Sequence, residues 1–356
     1  MKKVKVLVVD DSALMRKKIS EMLDTAFGVE VIGTARNGED GILKARDLKP
    51  DVITLDVNMP VMDGLTALRI IIEEQICPVI MLSSLTQEGT TTTFEAMEIG
   101  AFDFVAKPSG TVSRDVDKVR KELVRKVKAA AGMGFSRLTR KIEVETFDDE
   151  EILNEIELAP VDSAGFRAVC IGISTGGPKT IFDVIPRIPS DINAALFLVQ
   201  HMPVGFTASF AARLNKASRI YVKEAEPGDI VTPGVCYVGR SGSHMTLYKK
   251  HSGVVTIRMG KTPEHTFIPS VDIMMESVCK SFGKQTIGTL MTGMGDDGAA
   301  AMCSIKQAGG FTIAESEETA IVYGMPREAV ERDCVDMVLP SDKIAGEITR
   351  RISRGW

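Results

Sequence analysis

Several things are scarce in this 356-residue chain, and each scarcity excludes a class of function. There are only four histidines and no H-E-x-x-H, so a zinc site built by the protein is not expected. The six cysteines, Cys77, Cys170, Cys236, Cys279, Cys303 and Cys334, are scattered and form no C-x-x-C pair. Several lie in apolar runs, where a reduced thiol serves as a small buried side chain. No apolar run approaches the length of a membrane span. Met1-Lys2-Lys3 precedes an apolar stretch, but Asp10-Asp11 ends it too soon for a signal peptide. No segment has the basic excess that nucleic-acid binding usually needs and the net charge is −5, which argues against a nucleic-acid partner. These absences point to a protein of the reducing cytoplasm that is not membrane-embedded.

The length favours two domains. From residue 1 to about 125, strand-like and helix-like segments alternate in five units, beginning with the apolar run Val4–Val9. That is the pattern of a doubly wound α/β domain with flavodoxin-like topology. Its polar residues are not scattered. Asp10 and Asp11 follow the first strand, Asp56 the third, Ser83 and Ser84 the fourth and Lys107 the fifth. In an open parallel sheet these carboxyl ends meet in one crevice. Three carboxylates there call for a hard cation, and Mg²⁺ suits an oxygen ligand set. A lysine and a hydroxyl beside them are the groups needed around a transferred phosphoryl group.

As a set, these residues resemble those of a two-component receiver domain. The resemblance implies that Asp56 accepts the phosphoryl group. It also implies that Asp10, Asp11 and Asp56 bind Mg²⁺ with the backbone carbonyl of Asn58. Lys107 would pair with the phosphoryl oxygens, Ser83 and Phe104 would be the switch residues, and Lys107-Pro108 would be a cis peptide. A histidine kinase would be the phosphodonor.

Residues 126–160 read as a connection. A helix from about Ser113 should stop at Gly132-Met133-Gly134. From Glu143 to Glu157 every charge is acidic, as in a solvated linker, although Ile152, Leu153 and Ile156 could also line one face of a short docking helix.

A second doubly wound α/β domain is expected over 161–356. It opens on the apolar run Ala168–Ile173, which breaks into Ser174-Thr175-Gly176-Gly177-Pro178, with a helix starting near Lys179. Gly172-x-Ser174-x-Gly176 has the spacing of a nucleophile elbow, where a serine hydroxyl is raised at a sharp strand-to-helix turn. A glycine-rich anion cradle is the other reading. Ala194–Gln200 is a strand that delivers His201, and Thr286–Met291 a strand leading to Asp297. Phe311–Ala314 reads as the last strand. A parallel sheet would bring Ser174, His201 and Asp297 together as nucleophile, base and orienting acid. Their chain order is not that of the α/β-hydrolases, chymotrypsin or subtilisin. His244 and His265 are alternative bases, and Asp296 an alternative acid.

Five motifs narrow these choices: Ile-Gly-x-Ser-Thr-Gly-Gly at 171–177, Gln-His-Met-Pro-x-Gly-Phe-Thr at 200–207, Pro-Ser-Val-Asp at 269–272, Thr-Gly-Met-Gly-x-Asp-Gly at 292–298 and Gly-Met-Pro-Arg-Glu-Ala at 324–329. Together they resemble the catalytic domain of the chemotaxis protein-glutamate methylesterases. The resemblance implies that Ser174 is the nucleophile, His201 the base and Asp297 the orienting acid. Thr175 and Met294 would lie beside the site, with the Met294 N–H as oxyanion donor. It also implies hydrolysis of glutamate γ-methyl esters on chemoreceptors, deamidation of receptor glutamines, no cofactor at the esterase site, and control by the receiver. Asp296 departs from the pattern, standing where many relatives carry an uncharged residue. The rival reading is a non-enzymatic signalling protein that binds a partner through its glycine-rich turn.

Overall fold

The computed structural model describes residues 2–84, 87–107, 113–133 and 165–354. The chain divides into two compact units, Met1–Lys141 and Ile142–Trp356.

In the first unit five strands, β1 (Val4–Val9), β2 (Val29–Ala35), β3 (Val52–Asp56), β4 (Val79–Ser83) and β5 (Asp103–Ala106), form a parallel sheet in the order β2-β1-β3-β4-β5. Five helices alternate with them: α1 (Ala13–Asp24), α2 (Gly38–Leu48), α3 (Gly64–Glu73), α4 (Gln87–Ile99) and α5 (Ser113–Ala131). β3 and β4 are buried along their whole length, as expected of strands covered on both faces. Three helices start on side-chain caps: Ser12 Oγ accepts from Met15 N, Asn37 Oδ1 from Asp40 N and Asp63 Oδ1 from Thr66 N. On α5, Leu123, Val127 and Ala130 are buried as the apolar periodicity requires, and so is Lys126. Its ammonium is held by Asp103, Glu122 and the Phe104 carbonyl. The expected linker begins within α5, which runs on to Ala131; its residues 134–160 lie outside the described residues, as does Pro108 of the expected cis peptide.

The second unit is built on seven parallel strands: β6 (Arg167–Ile173), β7 (Ala194–Gln200), β8 (Tyr221–Glu224), β9 (Val235–Val238), β12 (Thr286–Leu290), β13 (Phe311–Glu315) and β14 (Met337–Leu339). Their order is β14-β13-β12-β6-β7-β9-β8. β10 (His244–Lys249) and β11 (Val255–Gly260) pair as an antiparallel hairpin. The helices are α6 (Gly177–Thr180), α7 (Thr207–Lys216), α8 (Val271–Phe282), α9 (Ala299–Gln307), α10 (Met325–Glu331) and α11 (Ser341–Arg354). β6 sits between β7 and β12, so the chain leaves β6 to one side and later returns to the other. The carboxyl ends at such a switch point form the crevice where open parallel sheets bind ligands.

Four points of the sequence reading need correction. The helix after the glycine turn is not continuous: α6 gives way to two single 3₁₀ turns, Ile181–Asp183 and Ile185–Arg187. Pro186 has no N–H to continue a helix, and the β-branched Thr180, Ile181, Val184 and Ile185 favour one poorly. Phe311–Ala314 is not the last strand, because β14 follows it and pairs with it. β8 and β14 were not expected at all. They are short, half-exposed edge strands: β8 mixes polar and apolar residues, and the apolar Met337–Leu339 of β14 is only three residues long. Nor are all six cysteines thiols. Cys303 on α9 and Cys334 just past α10 approach to a Cα–Cα distance of 4.6 Å and are disulfide-bonded, while the other four are free and buried. Among the described residues, no helix is long and apolar enough to cross a membrane.

Candidate functional sites

At the carboxyl end of the first sheet, Asp10, Asp11 and Asp56 each offer a carboxylate oxygen within 4.8 Å of the others. Lys107 Nζ bridges two of them, 2.8 Å from Asp10 Oδ2 and 2.7 Å from Asp56 Oδ2. Asp10 and Asp56 are buried, and Asp11 is exposed. Burial pushes the Asp56 carboxyl up, and the charges of Asp10 and Asp11 add to the rise. Lys107 opposes them without reversing it. For Lys107 burial works against the charge, but its bonds to Asp10 and Asp56 win and hold the ammonium above its ordinary value. The cluster is thus an excess of partly desolvated negative charge, an oxygen donor set suited to a small divalent cation. Asn58 is exposed two residues beyond Asp56. Ser83 Oγ donates to the Gly89 carbonyl at 3.1 Å and accepts from Thr93 Oγ1 at 2.6 Å. The Phe104 ring is buried edge-on to Phe94, with Lys126 Nζ 5.3 Å from its centroid.

In the second unit the sheet register brings the candidate residues together. Ile173 of β6 pairs with Gln200 of β7, so Ser174 and His201 leave the sheet side by side. The His201 N–H donates to the Ile173 carbonyl. The buried Gln200 amide ties the two turns, donating to the Ser174 carbonyl at 2.9 Å and the His201 carbonyl at 2.8 Å. On the other side of β6, the turn after β12 is fixed by the Ser174 N–H, which donates to the Thr292 carbonyl. A Cβ on Gly293 would stand 2.8 Å from that of Ser174, so only glycine lets this turn approach so closely. Gly176 has φ 80°, and a Cβ there would strike Ile321 at 2.3 Å. Thr175 is buried, and its Oγ1 has no hydrogen-bond partner among the described residues. Met294 is half-buried on the 292–297 turn.

Asp297 and His201 are joined at 2.8 Å, Oδ2 to Nε2. An ionised carboxylate only accepts, so the proton of the neutral imidazole sits on Nε2. His201 Nδ1 then carries the lone pair; it is buried and has no hydrogen-bond partner among the described residues. The Phe267 ring stacks on the imidazole at 4.2 Å, 8° from parallel, and fixes its plane. Of the alternatives, His265 is exposed and bonds the Phe267 backbone, and His244 is buried within the β10 region, bonded to backbone on both ring nitrogens. Asp296 points away and pairs with Arg332 at 3.1 Å.

The Asp297 carboxylate also caps a helix. Ser270 Oγ donates to Oδ1 at 2.8 Å, Val271 N to Oδ2 at 2.8 Å and Asp272 N to Oδ1 at 3.1 Å, all at the amino end of α8. Burial alone would raise this carboxyl. The His201 bond and charge, with the amides of Val271 and Asp272, overcome it and hold the pKa at about 2. Asp272 returns the arrangement, accepting from Ala301 N at 2.8 Å in the first turn of α9. The free thiols offer no competing nucleophile: burial pushes Cys77 up to about 12 and raises Cys170, Cys236 and Cys279 as well.

Residue types alone did not single out Gln200, Phe267 or Ser270. Gln200 and Ser270 do stand inside two of the five motifs, which was the available signal. Phe267 lies in an irregular segment with no period to read.

The sequence matches the family described as CheB methylesterase over residues 169–348 and the response regulator receiver domain over residues 6–114. A protein-glutamate methylesterase/protein-glutamine glutaminase of Syntrophomonas wolfei is 53% identical, over 99% of this chain and 100% of its own. The protein of that name from Bacillus subtilis is 44% identical over 99% of each. The crystal structure of the Thermotoga maritima CheB methylesterase catalytic domain aligns with a TM-score of 0.51 and 38% identity, covering 52% of this chain and 98% of that one. The chain therefore belongs to the CheB family of protein-glutamate methylesterases/protein-glutamine glutaminases, carrying a response regulator receiver domain ahead of the methylesterase domain.

Proposed function

We propose that this protein hydrolyses γ-methyl esters of glutamyl residues on chemoreceptors, releasing methanol, and deamidates receptor glutamines, with turnover raised by phosphorylation of Asp56. The observation that carries the reading is the His201 imidazole. Its Nε2 is engaged by Asp297, while its Nδ1 is buried, unpartnered and carried one residue past the strand pair that leads into Ser174. The relatives' names supply the substrate class.

In this scheme Ser174 Oγ bonds to the ester carbonyl carbon as its proton passes to His201 Nδ1. Asp297 stabilises the imidazolium through Nε2. The Met294 N–H receives the oxyanion, beside Thr175. The carbon–methoxy bond then breaks, and the proton on Nδ1 goes to the leaving oxygen to give methanol. Water attacks the acyl-serine, gives its proton to Nδ1, and Ser174 recovers it as the free glutamate departs. With a glutamine substrate the leaving group is ammonia.

In the receiver, Asp10, Asp11 and Asp56, with the Asn58 carbonyl, would hold Mg²⁺, which neutralises charge on the phosphoryl oxygens when bound. Lys107, 2.7 Å from Asp56 Oδ2, would pair with the phosphoryl group on Asp56. Ser83 and Phe104 would carry the change outward. A chemotaxis histidine kinase is the phosphodonor in this reading. The functional divisions are 1–125 and 161–356, and the protein acts in the cytoplasm.

A fluorophosphonate probe with the full-length protein tests the reading. Labelling should occur at Ser174 and vanish in Ser174→Ala, together with methanol release from methylated receptor membranes. A Ser174→Ala protein that still releases methanol would overturn it.

A further inference from the structure

His244 is the one histidine whose two ring nitrogens are both committed to backbone partners, and the chemistry of those partners fixes its state. Its Nδ1 accepts from the Ser270 N–H at 3.1 Å, and its Nε2 faces the Pro263 carbonyl at 3.1 Å. A backbone N–H only donates and a carbonyl only accepts, so the ring must be neutral with its proton on Nε2. At 1% exposure it is out of reach of a substrate. Burial also holds its pKa below the ordinary value, in keeping with a neutral ring.

The residue it grips is the one on which Asp297 rests. Ser270 caps α8, and its hydroxyl and the next two amides supply three of the bonds to the Asp297 carboxylate. Asp297 in turn holds His201 Nε2. The chain His244–Ser270–Asp297–His201 runs from a buried strand end to the proposed base without a gap.

We propose that His244 is a positioning residue for ester hydrolysis: its Nδ1 acceptor fixes the Ser270 amide, and through it the Asp297 carboxylate that orients His201. The proposal rests on the reading of Ser174, His201 and Asp297 as the hydrolytic set.

Two substitutions separate the ring's two nitrogens. In His244→Asn the side-chain oxygen falls where Nδ1 stands and can accept from Ser270. In His244→Gln the amide nitrogen falls nearer Nε2, and the acceptor is lost. Methanol release from methylated receptor membranes by the full-length protein should fall about tenfold or more in kcat for His244→Gln, roughly the cost of one misplaced hydrogen bond. KM should stay within about twofold, since no substrate contact is touched, and His244→Asn should recover most of the loss. Equal losses in the two variants, or none in either, would overturn the proposal. Ser174→Ala run alongside distinguishes the failures: if it stays active, the hydrolytic set itself is wrong and the proposal falls with it. Nitrogen-15 spectra of the unsubstituted protein at pH 7.5 give a check that needs no variant to fold. They should show His244 as the neutral Nε2–H tautomer, and an Nδ1–H tautomer would overturn the proposal.

Discussion

Asp56 and Asp297 both sit at the carboxyl ends of parallel sheets, both are buried, and their surroundings push them in opposite directions. Among the described residues Asp56 meets a single cation, Lys107, which it shares with Asp10, and two further carboxylates crowd it. Asp297 meets a hydroxyl, two backbone amides and an imidazole, with no ammonium or guanidinium in the set. The first carboxyl is raised and the second held at about 2. Burial is common to both, so the donors decide the outcome. A carboxylate left short of donors suits a group whose charge is to be altered. One bonded on every side suits a group whose charge is to stay.

The sharpest break in this comparison is at the group Asp297 serves. His201→Ala should lower methanol release by about 10⁴-fold or more, since members of such a set act as a unit, with the fold retained by circular dichroism. His265→Ala, altering an exposed ring off the chain of bonds, should change it by less than about threefold.

Asp297→Asn comes next, because it touches activity and stability together. Turnover should fall by about 10³- to 10⁴-fold as the imidazole loses its orienting charge. The amide NH₂ would also face donors at the start of α8. Asp297 has a folded pKa of about 2, below the unfolded value of about 3.9. Its stabilisation is therefore present above that unfolded value and is lost as pH falls through about 2. The difference in unfolding free energy between the two proteins should be largest above pH 4 and shrink by about 2 kcal/mol towards pH 2. Denaturant unfolding of the C-terminal unit across that range measures it, and a constant difference would mean Asp297 is not held as described.

The smallest effect on basal turnover belongs to Asp56. Asp56→Asn should abolish phosphorylation by a small phosphodonor and all activation, leaving unphosphorylated activity within about twofold. Chelating the divalent cation should abolish phosphorylation of the unsubstituted protein in the same way.

Much of this was legible before any coordinates. Val4–Val9, Ala194–Gln200 and Thr286–Met291 announce buried strands by their apolar runs, and polar residues just past such runs had to converge at one edge. That logic reaches Asp10, Asp56, Lys107, Ser174, His201 and Asp297. It does not reach residues whose role depends on orientation. The side chain of Gln200 closes the last position of its strand, and nothing in its type tells whether it binds substrate or backbone. Lys126 reads as one more base on a charged helix, yet it is buried against Phe104. The edge strands β8 and β14 were lost because half-exposed segments of three or four residues have no pattern to detect.

Asp297 and Asp272 each close the other helix's open end, one accepting from the start of α8 and the other from the start of α9. Neither helix start can fray without releasing the carboxylate that holds its neighbour, so the proposed acid belongs to the foundations of the domain and not to a replaceable loop. Variation at position 297 is thereby constrained twice over, whatever substrate selection demands. The serine is different: its main chain is anchored, but among the described residues its hydroxyl makes no hydrogen bond. An inert, intact version of this domain, for trapping receptor complexes, is therefore to be sought at position 174.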